Sequence, residues 1–145
     1  MPDGNIKMGT LVIDGSIILG FLLPDEQDAL SLKAFTEMRG GANVFVPAHW
    51  PVEIANGLLM AERRKRSTTT DTHDALRLMQ TLPVTIDGET APRLAATTTL
   101  ARQYSLTIYD AAYLELAMRR RAKLATNDRD LLKAAKACGV AVFAG

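Results

Sequence analysis

The sequence predicts an α/β protein in which a parallel sheet is covered on both faces by helices. Short apolar runs recur along the chain, and segments in which apolar residues repeat at helical spacing separate them. Strands buried on both faces are apolar at nearly every position, as these runs are. With 145 residues, 48% of them hydrophobic and 23% charged, we expect one soluble domain, 1–145, in which residues 1–9 are an N-terminal extension.

The predicted strands and helices alternate along the chain, and breaking residues mark several of their ends. Pro24 stops a short first helix, and Gly40 and Gly41 end the second. Pro51 opens the third helix, because proline is tolerated in a first turn. The predicted strands are residues 11–13 (LVI), 43–46 (NVFV), 83–86 (PVTI), 122–126 (AKLAT) and 140–143 (VAVF). The predicted helices are residues 16–23, 26–39, 51–65, 71–80, 91–104, 106–118 and 129–138.

Composition argues against several kinds of protein. The one cysteine, Cys138, permits neither an internal disulfide nor a cysteine-based metal cage, and this usage fits a reducing cytoplasm. The longest apolar stretch, residues 17–23, is too short to cross a bilayer, so we expect no membrane partner. A Walker loop and a GxGxxG motif are both missing, which argues against a nucleotide cofactor. His49 and His73 match no zinc spacing and are interpreted as ordinary surface or half-buried residues.

Four acidic residues occupy positions at which sites form in open α/β sheets, where strands end and helices begin. Asp14 directly follows the first strand, and Asp128 follows a later one. Glu53 and Asp110 lie in the first turns of helices. Each of the four could be no more than a helix cap, and the spacing of Thr107 and Asp110 is that of a capping box.

The negative charge of these acids favours a cation-binding site over a set of helix caps. Their flanking residues are apolar or small, and a buried charge is costly without a partner. Only Asp128 has a lysine or arginine within three residues, namely Arg129. Two carboxylates about 4 Å apart repel by roughly 4 kcal/mol at an effective dielectric constant near 20, so convergence of the four acids requires a cation. Ligands that are all oxygen favour Mg²⁺, with Mn²⁺ possible, over zinc.

Three segments carry a more specific pattern, which lies within a region of likeness that covers about residues 10–143. They are LVIDGSIILGFLLPDE, PAHWPVEIANGLLMAERR and LARQYSLTIYDAAYLELAMRRRAKLATNDRDLLKAA. In this order and spacing they resemble the successive signatures of PIN-domain proteins, and most of all the VapC-type toxins of bacterial toxin–antitoxin pairs. The resemblance implies a compact three-layer α/β/α sandwich with a central parallel sheet and Mg²⁺-dependent endoribonuclease activity. It also implies an RNA substrate, a cognate antitoxin and a homodimer.

The same resemblance implies roles for individual residues. The acidic cluster of the family falls on the four acids, of which Asp14 and Asp110 would bind the metal directly, and Glu53 and Asp128 directly or through water. Asp110 would then both cap its helix and hold a metal ion. Gly15 departs from the Ala or Ser that such proteins often carry, but removes no ligand. Orienting roles are implied for Ser16, Asn56 and Thr126.

Two basic clusters stand out although the net charge is only +1. They are either solvated helix ends or surfaces that hold the phosphate backbone of RNA. The RNA-binding candidates are Arg63, Arg64, Lys65, Arg66, Arg119, Arg120 and Arg121.

Three alternative functions remain open. The first is a PIN-like RNA-processing nuclease without an antitoxin. The second is a phosphoacceptor receiver domain or an aspartate-nucleophile phosphatase, which also places an acid after the first strand. It is disfavoured because a paired acid is missing around Asp14 and because no lysine stands at the end of a late strand. The third is a binding module without activity, which has no reason to keep four mutually repelling acids.

Overall fold

The computed structural model describes residues 9–144 as a four-stranded parallel sheet surrounded by helices. The strands are β1 (Thr10–Ile13), β2 (Asn43–Val46), β3 (Val84–Ile86) and β4 (Lys123–Ala125). The helices are α1 (Gly15–Leu22), α2 (Ala29–Arg39), α3 (Trp50–Arg63), α4 (Thr69–Gln80), α5 (Leu94–Tyr104), α6 (Ile108–Arg120) and α7 (Arg129–Ala137). The predicted N-terminal extension, residues 1–9, lies outside the described residues except for Gly9. None of the described helices is both long and apolar enough to span a bilayer.

Helices cover both faces of the sheet. Successive side chains of a strand point to opposite faces, and Leu11, Val12 and Ile13 are all buried. α6 packs across β1, β2 and β4 with α5 and α7 beside it, while α1 contacts α2 and α3. The predicted α/β sandwich with a central parallel sheet is therefore confirmed.

The direction in which the sheet grows reverses at β1. From β1 the chain adds β2 and β3 on one side and then β4 on the other, which gives the order β3-β2-β1-β4. The register pairs Ile13 with Ala125, the last residues of β1 and β4. The carboxyl ends of these two strands are therefore adjacent. In open α/β sheets, ligands bind at such a switch point.

The largest differences from the prediction lie in α2, in the predicted last strand and in α5, which begins at Leu94 and not at residue 91. α2 begins three residues later, at Ala29, because the carboxylate of Asp28 caps it by accepting a hydrogen bond of 2.8 Å from a first-turn N–H. The predicted strand at 140–143 is reduced to a bridge between Val142 and Leu124. Along a strand, the backbone N–H and C=O groups of alternate residues point to opposite sides. On the side of β4 away from β1, only Leu124 therefore offers these groups to a further strand.

Candidate metal-binding active site

Asp14 directly follows β1 at the switch point and is almost completely buried, with 3% relative exposure. Its Oδ1 accepts hydrogen bonds from the hydroxyl of Ser16 at 2.6 Å and from the N–H of Ile17 at 3.2 Å, and the second bond caps α1. Its Oδ2 accepts from the hydroxyl of Thr126. Burial raises the pKa of Asp14 to about 6, although these hydrogen bonds oppose the shift. The carboxylate is oriented by neutral donors and has no positive partner among residues 9–144.

Thr126 links the end of β4 to Asp14. Its hydroxyl donates to Asp14 and accepts from the N–H of Asp128 at 2.9 Å. The side chain of Asp128 caps α7, accepting from a first-turn N–H at 2.9 Å. The loop also returns to α1, because the N–H of Asn127 donates to the hydroxyl of Ser16 at 2.9 Å. Side chains thus tie the ends of β1 and β4 together.

Glu53, in the first turn of α3, is held by a side chain of α6. The hydroxyl of Tyr113 donates to its Oε1 at 2.6 Å, and Nε2 of His49 lies 3.5 Å from the same oxygen. Burial raises the pKa of Glu53, and the charge of Asp110 adds to the effect. Gly15 provides the space: a Cβ at this position would lie 2.9 Å from Cδ of Glu53. Gly15, at a position where the resemblance implies Ala or Ser, therefore leaves room for the Glu53 carboxylate next to Asp14.

Asp110 is not the cap of its helix, contrary to the prediction. The cap is Thr107, whose hydroxyl accepts from the N–H of Asp110 at 3.1 Å. The carboxylate of Asp110 is half-buried, and burial raises its pKa; the charges of Asp128 and Asp130 raise it further. The capping role predicted for Asp110 therefore belongs to Thr107, whereas the carboxylate of Asp110 faces other acids.

The four predicted acids repel one another in three pairs: Asp14 with Glu53, Glu53 with Asp110, and Asp110 with Asp128. Glu53 contributes to the raised pKa of Asp14, Asp110 to that of Glu53, and Asp128 to that of Asp110. Within residues 9–144, none of the four forms an ion pair with lysine or arginine. In that same range, no three His, Cys, Asp or Glu side chains are placed to hold one metal ion together. The oxygen-only donors fit Mg²⁺ or Mn²⁺ in chemistry, and joint coordination requires the half-buried carboxylates to turn toward Asp14.

A fifth acid at this edge of the sheet, Asp87, was missed by the sequence analysis. It directly follows β3 and is buried, and its carboxylate accepts two hydrogen bonds from Arg119, at 3.0 and 2.8 Å. Arg120 lies 3.6 Å away. Arg119 holds the pKa of Asp87 below its usual range. Asp87 thus has a positive partner, which none of the other four acids has in the part of the chain that the structure describes.

The basic residues predicted to bind RNA lie at the far ends of α3 and α6, roughly 15 Å along each helix axis from Glu53 and Asp110 at a rise of about 1.5 Å per residue. Arg119 is engaged with Asp87 and Glu115 inside the protein. Arg66 pairs with two acids that follow α1, and Arg120 stacks on an aromatic ring at 4.3 Å. The other members are exposed and make no such contact with the described residues: Arg63, Arg64, Lys65 and Arg121.

A cleft of about 520 Å³ adjoins the acids. It is lined by His49, Val52, Glu53, Asn56, Thr107, Tyr109 and Asp110. Asn56, predicted to have an orienting role, is exposed in this cleft. Sequence reasoning missed His49, Tyr109 and Tyr113. His49 and Tyr113 lie four residues before Glu53 and three after Asp110, the spacings that place side chains on one helix face, so this signal was present in the sequence.

Solved structures of other proteins share this fold. PAE2754 from Pyrobaculum aerophilum has a TM-score of 0.66 and 22% identity, over 88% of this chain and 80% of that one. VapBC2 from Rickettsia felis, bound to a DNA fragment from their promoter, has a TM-score of 0.61 and 12% identity, over 92% and 96%. FitAcB from Neisseria gonorrhoeae has a TM-score of 0.61 and 19% identity, over the same shares. At these identities the likeness shows the fold.

Comparison at the level of sequence finds a family but no individual relative. No curated protein matches the chain. The family model described as PIN domain matches residues 11–137, which include all four acids of the cluster and the four strands that position them, apart from the first residue of β1. The sequence motifs, the parallel sheet with its switch point and this match agree, and the receiver and phosphatase alternatives are set aside. The chain belongs to the PIN-domain family.

Proposed function

We propose that this protein is a Mg²⁺-dependent endoribonuclease and the toxin of a type II toxin–antitoxin pair. The contrast among buried acids carries the nuclease part of the proposal. Asp14, Glu53 and Asp110 have raised pKa values and no cationic partner among the described residues, whereas Asp87 at the same edge is paired with Arg119. Carboxylates that repel one another at a switch point are suited to a divalent cation. Membership of the PIN-domain family supports the same activity.

In the proposed mechanism Asp14 and Asp110 would hold the ion, which Mn²⁺ could replace, and Glu53 and Asp128 would bind it directly or through water. A bound Mg²⁺ supplies Lewis acidity, which activates a water molecule near neutral pH and stabilises charge on the phosphate. The chain itself orients the ligands: Ser16 and Thr126 hold the two oxygens of Asp14. Tyr113 holds Glu53 in the same way. A side-chain nucleophile is not required.

Cleavage of RNA by the isolated protein tests the nuclease proposal. We expect cleavage with Mg²⁺ or Mn²⁺, none with chelator, and losses of several orders of magnitude for Asp14→Asn and Asp110→Asn. Asp74→Asn is the matched control, because Asp74 is an exposed acid on α4, outside the cluster, and this variant should cleave like the wild type. Chelator-resistant cleavage or a fully active Asp14→Asn variant would contradict the proposal.

The toxin part rests on the resemblance of the three sequence segments to VapC-type toxins, and the likeness in fold to VapBC2 and FitAcB supports it. We therefore propose a cognate antitoxin and a homodimer in the cytoplasm. Expression of the chain with and without its neighbouring reading frame tests this. If the chain alone is harmless and no partner co-purifies, the toxin assignment fails, and an RNA-processing nuclease without an antitoxin takes its place.

A further inference from the structure

The cleft beside the acid cluster is built by the first turns of two helices. His49, Val52 and Asn56 line it from the start of α3, and Thr107 and Tyr109 from the start of α6. Two acids of the cluster, one from each helix, also line it. A group that occupies this cleft therefore lies next to the proposed reaction centre. Its volume of about 520 Å³ is within the range of small-ligand sites.

Tyr109 presents an aromatic ring in this cleft. Its side chain is 64% exposed although its helix neighbours Ala111 and Ala112 are buried. The ring packs against His49 with centroids 5.4 Å apart and planes at 64°. His49 in turn packs against the buried ring of Tyr113, at 5.3 Å and 76°. Tyr109 is thus supported from the protein side and open toward solvent, as a stacking platform must be.

The charges at the cleft select the kind of group that can bind. Glu53 and Asp110 repel a phosphate, and neither lysine nor arginine is among the described residues that line it. A neutral planar group meets no such penalty, and Val52, 72% exposed, offers it an apolar wall. The exposed amide of Asn56 has the donors and the acceptor that pair with the edge of a base.

We propose that the cleft binds one unpaired nucleobase of the RNA substrate, stacked on Tyr109 and contacted at its edge by Asn56. This subsite rests on the proposed nuclease function. Proteins that recognise single-stranded RNA commonly stack splayed bases on aromatic side chains, which places the adjacent phosphodiester at a defined position. Here that position is beside the carboxylates of Glu53 and Asp110, whose repulsion of the phosphate the Mg²⁺ of the proposed function would offset.

Steady-state cleavage of a single-stranded RNA oligonucleotide that contains the mapped cleavage site tests the subsite. Tyr109→Ala should raise KM about tenfold or more, because it removes the stacking contact. Tyr109→Phe should keep the wild-type KM, because the ring remains. Leu78→Ala is the matched control. Leu78 is also an exposed apolar residue but lies on α4, so this variant should leave cleavage unchanged.

An abasic scan of the same oligonucleotide separates stacking from a structural role. In the wild type, removal of one particular base should raise KM about as much as Tyr109→Ala does. In Tyr109→Ala, that abasic substrate should show no further rise, since its stacking partner is already gone. Asn56→Ala should weaken the preference among bases more at this position than at any other position of the oligonucleotide.

The outcomes distinguish the subsite from the function on which it rests. If the wild type cleaves RNA but the effects of Tyr109→Ala and of the abasic site add, or KM does not change, the subsite is wrong and the nuclease stands. If Tyr109→Ala weakens only the binding of a co-purifying protein, the cleft is a protein contact and the subsite is again wrong. If the wild type cleaves no RNA with Mg²⁺ or Mn²⁺, both proposals fall.

Discussion

Asp14 and Asp87 are both buried aspartates that directly follow a strand, yet their pKa values shift in opposite directions. Asp87 accepts two hydrogen bonds from the guanidinium of Arg119, which lowers its pKa. Asp14 accepts from two hydroxyls and one backbone amide, and burial still raises its pKa to about 6. Neutral donors orient a carboxylate without cancelling its charge, so Asp14 remains available to a cation from solution.

The raised pKa of Asp14 gives the metal-free protein a pH-dependent stability. The pKa is about 6 in the folded protein against 3.8 for the unperturbed group, so the folded state holds the proton more tightly. Stability is therefore greatest below pH 4 for this group and falls as pH rises to about 6, by roughly 3 kcal/mol. Asp14→Asn should lack this loss. Denaturant unfolding in chelator from pH 4 to 7 measures it, with Asp74→Asn as a control that should follow the wild type. Parallel curves for the wild type and Asp14→Asn would refute this prediction.

Asp110→Asn separates metal binding from helix capping. Because Thr107 caps α6, the substitution leaves the cap in place, and it relieves repulsion from Asp128 and Asp130. Without metal the variant should be at least as stable as the wild type. Mg²⁺ should raise the melting temperature of the wild type by binding the folded state, and that of the variant much less. Thermal unfolding with Mg²⁺ and with chelator provides the measurement, and equal stabilisation of both proteins by Mg²⁺ would contradict a ligand role for Asp110.

At the scale of secondary structure, the sequence predicted the helices and strands better than the contacts between them. The first turns of α3 and α6 were recognised from their local patterns. The hydrogen bond from Tyr113 to Glu53 that joins them was not, because it links residues 60 positions apart and depends on how both helices pack on the sheet. The roles of Ser16 and Thr126 came from family resemblance for the same reason, since Thr126 and Asp14 are 112 positions apart.

The basic ends of α3 and α6 should behave differently when they are mutated. Arg119→Ala removes both guanidinium hydrogen bonds from the buried Asp87, leaves it only Arg120 at 3.6 Å, and should destabilise the protein by about 3 kcal/mol. Arg64 is exposed at the end of α3, so Arg64→Ala should change the free energy of unfolding by no more than about 0.5 kcal/mol. Denaturant unfolding compares the two variants. An Arg119→Ala variant as stable as the wild type would show that the buried ion pair does not stabilise the folded protein.

RNA binding at a series of salt concentrations tests whether the exposed basic residues contact phosphates. Each contact that is removed should reduce the slope of log affinity against log salt by about 0.7 for a single strand. Arg64→Ala and Arg121→Ala should each show this reduction if their helix ends hold the RNA backbone. Unchanged slopes in both variants would mark these positions as solvated helix ends. The far ends of the helices would then make no contribution to RNA binding.

At the scale of the whole molecule, a chain with a net charge of +1 concentrates at one edge of its sheet acids that pair with no lysine or arginine within residues 9–144. A protein partner that inserts an arginine there would form charge-assisted hydrogen bonds with the carboxylates and exclude a metal ion. The proposed antitoxin should therefore inhibit RNA cleavage in competition with Mg²⁺, so that raising Mg²⁺ restores activity to the complex. Asp110→Asn should bind this partner more weakly, because one charge of the cluster is lost. Titration of the co-purified partner into cleavage assays at several Mg²⁺ concentrations measures the competition, and inhibition that does not depend on Mg²⁺ would place the partner away from the acids.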